Sequence, residues 1–244
     1  MTGFIFSLTL RQLVFRRSTL LLLVLAAVPM LVGLAFQLGD STEPAEEFTV
    51  RVLCVWLVVT TLLPLTALLF GTSVLGDELE DGTIVYLLTK PVERWRILLP
   101  KIVAAWLLTW LLALTAIASS AFVVMGGEAG SVIVAFGVAT AVGALAYVSV
   151  FVLLSIMTTR ALIAGLVFVF IWEGAVSGIF EGVRYLSIRH HTLGIADWLI
   201  DVPSDALNAY VGGVTALVMS LIVIVLAGVY ANKRLQRAEI REAT

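Results

Sequence analysis

Cysteine occurs once in this 244-residue chain and histidine twice, which excludes an intramolecular disulfide and a thiolate metal cluster. Cys54 lies inside an apolar run and reads as a small packing residue. Charge is scarce too: 13% of residues are Asp, Glu, Lys or Arg and 61% are hydrophobic, against about 25% and about 45–50% in soluble domains. The net charge of −2 offers no clustered basic excess, so nucleic acid is not an expected partner. The dipeptide Gly-Lys is absent, and with it any Gly-x-x-x-x-Gly-Lys-Ser/Thr phosphate loop. Neither a Gly-x-Ser-x-Gly elbow nor a His-Glu-x-x-His pair is present, which speaks against an intramembrane hydrolase. No catalytic, cofactor-binding or metal residue is expected on this chain.

What the chain does have is long apolar runs. Several exceed about 18 residues without a charge, enough to cross about 30 Å of hydrocarbon as a helix. The pattern predicts an all-α membrane protein with six transmembrane helices, over 20–38, 52–75, 102–125, 132–157, 161–180 and 211–230. The whole chain, 1–244, reads as a single transmembrane domain embedded in membrane lipid. Residues 1–18 mix Phe4, Ile5, Leu8, Leu13 and Phe15 with Arg11, Arg16 and Arg17, the composition of an N-terminal amphipathic interfacial helix. The apolar run that follows exceeds that of a cleaved signal peptide. Residues 39–50, with Asp40, Glu43, Glu46 and Glu47, read as a polar external loop, and Pro64 predicts a kink within the second span.

Basic residues orient the chain. All but three of the 15 Lys and Arg fall on one side of this six-span scheme; only Arg51, Arg184 and Arg189 fall on the other. Cytoplasmic loops carry the excess, so both termini, including the tail 231–244, are expected in the cytoplasm and the protein in the plasma membrane.

The segment 76–101 between the second and third spans is the most informative. Acidic Asp77, Glu78, Glu80 and Asp81 lead into Gly82, a helix breaker, and Thr83, a possible cap; Ile84, Val85, Leu87 and Leu88 then give a short apolar face. Pro91 suits the first turn of the next helix. The pattern is helix, break, short exposed amphipathic helix, break, helix. Such an element could receive force from a soluble motor, or simply anchor a loop.

The acidic run into Gly82-Thr83, followed by Tyr86-Leu87-Leu88-Thr89-Lys90-Pro91-Val92 and Arg94, resembles the signature loop of permease subunits of type 2 ATP-binding cassette exporters, the type V exporter fold. Trp172-Glu173-Gly174 and the stretch Arg184 to His190 resemble a bacterial subgroup of that family. The resemblance covers most of the chain. It implies a cytoplasmic coupling helix at Thr83–Leu88, with Glu78, Glu80, Asp81, Gly82, Thr83, Ile84, Tyr86, Leu87 and Leu88 forming the ATPase-coupling interface. It further implies a separate nucleotide-binding ATPase subunit that carries ATP and Mg, a second permease copy (homodimer or close paralogue), and outward transport of a substrate the sequence does not name. A non-transporting scaffold or sensor coupled to an ATPase is the rival reading, and a secondary carrier a weaker one.

Three further features invite roles. Glu173 falls within the fifth span, about 20 Å along a helix from Arg160, and a carboxylate at that depth is a functional candidate by default. Gly174, Gly178 and Gly182 recur every four residues, a small-residue stripe suited to a dimer contact or to packing within one protomer. Residues 181–210 are too polar to span and suit short re-entrant or interfacial external helices. Neighbouring His190 and His191 point different ways on a helix and read as surface residues rather than metal ligands.

Overall fold

The structure, a computed structural model, describes residues 2–15, 17–39, 42–80, 93–200, 207 and 209–242. Among these residues it is helical, with no strand. Helix α1 spans Thr2–Val14 and buries Thr9 and Leu13, one turn apart, on a single face against a later helix. The chain turns at Phe15, where the Thr19 hydroxyl donates to the Leu13 carbonyl at 2.5 Å, and continues as α2, Arg17–Leu38.

The next helix starts earlier than the hydropathy pattern predicts. Its first piece is α3, Ala45–Phe48, which puts Glu46 and Glu47 in the first helical turn rather than in a loop. Acidic side chains stabilise that end of the macrodipole, and Arg51 pairs with both Glu43 and Glu47. The helix then winds as a π-helix over Thr49–Leu62 and as α4 over Leu63–Glu80. Pro64 explains where the winding changes. Its missing amide donor falls at the second residue of the α-wound part, where the register shifts and one fewer bond is made. The predicted kink is thus met by a change of helical winding.

Helix α5 covers Trp95–Met125 and α6 covers Gly130–Met157, joined by a 3-10 turn, Gly126–Ala129. Gly126 adopts φ +60°, a conformation glycine reaches without a Cβ clash. The hairpin is antiparallel: the indole of Trp106 donates to the Ala141 carbonyl at 2.8 Å and that of Trp110 to Gly137 at 2.9 Å. The two indoles stack 5.9 Å apart on α5.

Beyond α6 come α7, Ala161–Val167, a second π-helical stretch, Phe168–Val176, and the short α8, Ser177–Ile179. A 3-10 turn, Glu181–Leu186, leads into α9, Ile188–Leu199, and α10, Gly213–Glu242, ends the chain.

Helix α6 is the hub, packed against α4, α5, α7, α9 and α10. It is apolar on every side, as a helix surrounded by others must be, and it buries Phe136, Tyr147, Phe151 and Val152. By length and composition, five helical segments could cross a membrane: Ser18–Leu38, Ala45–Gly76, Trp95–Met157, Ala161–Ile179 and Gly213–Gln236. Trp95–Met157 contains both limbs of the α5–α6 hairpin. Few residues of the first, fourth and fifth segments are buried, in keeping with an outer ring around α4, α5 and α6.

Candidate functional site

The residues that invited a functional reading divide sharply. Glu78 and Glu80 lie on the last turn of α4. Asp81, Gly82, Thr83, Ile84, Tyr86, Leu87 and Leu88 fall outside the described residues, as does Pro91. The following helix begins at Trp95, beyond Pro91. At the base of this segment Lys101, only 2% exposed, donates from Nζ to the Val74 carbonyl at 2.9 Å and so ties α5 to α4.

The structure makes most of Glu173. It sits in the second π-helical stretch and is buried, yet its carboxylate is fully engaged. Oε1 accepts the Ile188 amide at 2.9 Å; Oε2 accepts the Ser187 hydroxyl at 2.5 Å and the Arg189 amide at 3.4 Å. These donors form the opening turn of α9, whose amides have no partners inside their own helix. Ser187 completes the cap by accepting the His190 amide at 3.3 Å. A carboxylate from one helix therefore closes the N-terminus of another, where the positive end of the dipole stabilises negative charge. Local sequence favours this arrangement: Ser187 is a good N-cap residue, and the extended backbone there (φ −94°, ψ 124°) aims the first amides of α9 at Glu173.

Arg189 extends the cluster. Its guanidinium donates to the Ser177 hydroxyl at 3.3 Å, and Ser177 in turn donates to the Glu173 carbonyl at 2.6 Å. The other guanidinium contact is His190 Nε2, at 3.3 Å. His191 Nε2 donates to the Tyr185 carbonyl at 2.9 Å. Arg184 lies 3.8 Å over the ring of Tyr210.

Both histidines are buried, which corrects the expectation of surface residues. The polarity of 181–210 suggested a solvated stretch, whereas α9 packs its buried face on α6 and α10. Burial and the nearby Arg189 and Arg184 charges hold His190 well below its ordinary value, at about 4, and burial also lowers His191. Among the described residues no group of His, Cys, Asp and Glu is arranged to hold a metal ion.

The glycine stripe does not form one helical face. Gly174 is π-wound, Gly178 lies in α8, and Gly182 lies past the helix end in the 3-10 turn. A Cβ at Gly178 or Gly182 would meet nothing within 4 Å, so among the described residues the side-chain direction of each is open.

Beside Glu173 a cavity of about 160 Å³ opens between the two π-helical stretches. Thr60, Thr61 and Leu65 line one side; Val169, Phe170, Glu173 and Gly174 line the other; Tyr147 and Arg189 complete it. Sequence reasoning missed Tyr147, Thr60 and Thr61 because each lies in an apolar run whose period marks only core. The π-winding itself is betrayed by the threonines, whose hydroxyls donate to carbonyls five residues back, Val55 at 2.8 Å and Trp56 at 3.0 Å.

Long apolar helices around a buried hub, with one polar cluster among them, define a polytopic α-helical membrane protein. Its residues 6–239 match the ABC-2 family transporter proteins. The chain belongs to that family, the membrane components of ABC transporters, as the resemblance in the 76–96 segment implied. No match was found among curated proteins.

Proposed function

We propose that this chain is the transmembrane permease subunit of an ATP-driven exporter, powered by a separate nucleotide-binding subunit. The observation that carries the reading is family membership over residues 6–239 in a chain made of apolar helices. The sequence has no phosphate loop, so ATP hydrolysis is assigned to a partner that binds ATP and Mg. Counting the limbs of the α5–α6 hairpin separately gives six crossings. An even number, with the Lys and Arg excess on one side, sets both termini in the cytoplasm of a plasma membrane protein.

In this reading α4 and α5 are the arms that hold the cytoplasmic coupling segment 76–101, and Glu78, Glu80 and residues 81–88 meet the ATPase. Helix α1 lies in the interface and the 181–210 region faces outward. Two permease copies, identical or closely related, complete the transporter. Closure of the ATPase pair pushes the coupling segments together and the spans rearrange to release substrate outward.

The test is coexpression with any small ATPase carrying a phosphate loop that is encoded beside this chain, copurification, and ATP-dependent transport in liposomes. Copurification that Leu87→Asp weakens, together with ATP-dependent transport, is expected. An ATPase that copurifies and turns over without any transport would make the chain a scaffold or sensor, and absence of any associated ATPase would overturn the coupling assignment.

A further inference from the structure

Two guanidiniums stand where the chain leaves one apolar segment and approaches the next, and both are short of acceptors. A guanidinium presents several N–H donors in a rigid fork. Among the described residues, Arg184 reaches the Gly178 carbonyl at 3.5 Å and the Glu181 carboxylate at 3.6 Å. Arg189 reaches the Ser177 hydroxyl and His190 Nε2, each at 3.3 Å. The carboxyl of Glu173 accepts from the Ser187 hydroxyl and from the Ile188 and Arg189 amides instead of from the Arg189 guanidinium. The Nε atoms of Arg184 and Arg189 are buried without a hydrogen-bond partner, an unfavourable condition for a donor. With His190 Nε2 accepting from Arg189, the ring proton sits on Nδ1, which is buried and unpaired as well. Arg184 and His190 meet at one ring: the guanidinium lies 3.8 Å over Tyr210, and the imidazole centroid lies 5.7 Å from it, edge-on.

The place of this cluster narrows what it can hold. The apolar segment Ala161–Ile179 ends just before Arg184, and the segment Gly213–Gln236 begins just after Tyr210, which sets the cluster at the level of one membrane interface. Phe180, Tyr185, Trp198 and Tyr210 are all exposed in the same stretch, and such side chains collect at headgroup depth. Glu181 holds its place loosely: it meets Arg184 Nη1 with one oxygen, on a side chain 87% exposed, whereas that of Arg184 is 13% exposed. A pair open to solvent on one side is worth little, while a phosphate offers paired oxygens that match the guanidinium fork. The exposed aromatic side chains favour a phosphate carried by a lipid over a free one, because only a lipid also covers them.

We propose that Arg184, supported by the charge of Arg189, binds the phosphate of an anionic phospholipid in the position that Glu181 now holds, with the acyl chains lying along the exposed flank of the Ala161–Ile179 segment. A zwitterionic phospholipid suits the site less well, because its own cation would lie beside the guanidinium. The binding needs neither nucleotide nor ATPase and stands apart from the exporter reading.

The experiment is native mass spectrometry of the purified full-length protein, titrated in detergent with phosphatidylglycerol or with phosphatidylcholine of the same acyl chains. The wild type should bind its first phosphatidylglycerol at least about tenfold more tightly than phosphatidylcholine, the worth of one charge-assisted hydrogen bond. Arg184→Met, which keeps an apolar stem and removes the fork, should weaken phosphatidylglycerol about tenfold and leave phosphatidylcholine unchanged. Glu181→Gln changes an exposed side chain and removes the competing charge, so it should tighten phosphatidylglycerol severalfold, and it keeps the test decisive if Arg184→Met misfolds. Equal affinity for the two lipids, or phosphatidylglycerol binding that Glu181→Gln and a folded Arg184→Met both leave unaltered, would overturn the site. Displacement of phosphatidylglycerol by an equal concentration of inorganic phosphate would overturn the lipid assignment and leave an ion site.

Discussion

The Glu173 carboxylate accepts the backbone amide of Ile188 at 2.9 Å, bridging the π-wound part of one apolar helix and the first turn of α9. Through that bond, and those to Ser187 and Arg189, a membrane helix fixes where the next helix begins.

Removing the carboxylate should therefore act on stability before it acts on anything else. Glu173→Ala leaves the Ile188 and Arg189 amides buried without acceptors, at a cost of about 1–3 kcal/mol. Glu173→Gln keeps one acceptor oxygen and loses the charge that suits a helix N-terminus, so it should cost about half as much. Thermal unfolding in detergent checks the order. Equal stability of wild type and Glu173→Ala would mean that the cap does not hold α9.

The cluster around His190 should be sensitive to acid. His190 titrates at about 4 in the folded chain, below its ordinary 6.5, because burial and the charges of Arg189 and Arg184 oppose a further proton. The unfolded chain takes up that proton first, so stability is full above about pH 6.5 and declines as pH falls toward 4. The decline is at most about 3 kcal/mol, and His191, also lowered, adds in the same direction. Melting curves from pH 7 to pH 4 should slope in the wild type and flatten in His190→Gln. Parallel slopes in the two proteins would contradict the assignment.

Helix α9 also depends on one close approach. A Cβ added at Gly194 would fall on the Val211 carbonyl oxygen, a backbone atom with little freedom to yield. Gly194→Ala should destabilise by about 1–3 kcal/mol through overpacking, whereas Gly127→Ala, at a position with nothing within 4 Å, should change stability by less than about 0.5 kcal/mol. The two melting temperatures measured side by side decide it.

Exposure selects the residue that reports on a second copy of the chain. Ser177 is fully buried and Gly178 is exposed, so a cysteine at Gly178 can reach a neighbouring protomer and one at Ser177 cannot. Cys54, buried in the core, gives no background. Gly178→Cys should form a covalent dimer on mild oxidation in native membranes; a monomer under conditions that cross-link a control pair would argue against a contact at this helix.

How far the sequence speaks for itself depends on the residue. The apolar runs announced the helices because hydropathy over about 20 residues is a strong signal. The early start at Ala45 was hidden because acidic residues read as loop until Arg51 is seen pairing with Glu43 and Glu47. Glu173 stood out because a carboxylate is conspicuous in an apolar run, but its partners lie 14 to 16 residues onward and the π-winding that aims it leaves no period in the sequence. Tyr147 was invisible for the opposite reason: an aromatic residue in a hub helix looks like packing, and only the structure sets it against the cavity beside Glu173. The indoles of Trp106 and Trp110 read as packing too, although each also hydrogen-bonds α5 to α6.

Lys101 offers the most direct test of how the proposed coupling segment is wired to the membrane helices. Its ammonium is buried and donates to the Val74 carbonyl, six residues before α4 ends, where the helix dipole favours positive charge. Val74 lies before the end of α4 and Lys101 after the start of α5, so in the proposed reading this bond helps a push on the segment between them reach both helices as one body. Lys101→Met keeps the aliphatic stem and removes charge and donors; it should lower stability by about 1–3 kcal/mol. Lys101→Arg should retain most of it. In the assembled complex, Lys101→Met should still bind the ATPase but show a severalfold smaller response of ATP turnover to substrate, because the docking surface is intact and its anchorage is not. Loss of ATPase binding would place Lys101 in the docking surface itself, and an unchanged response would show that α4 and α5 receive the push independently.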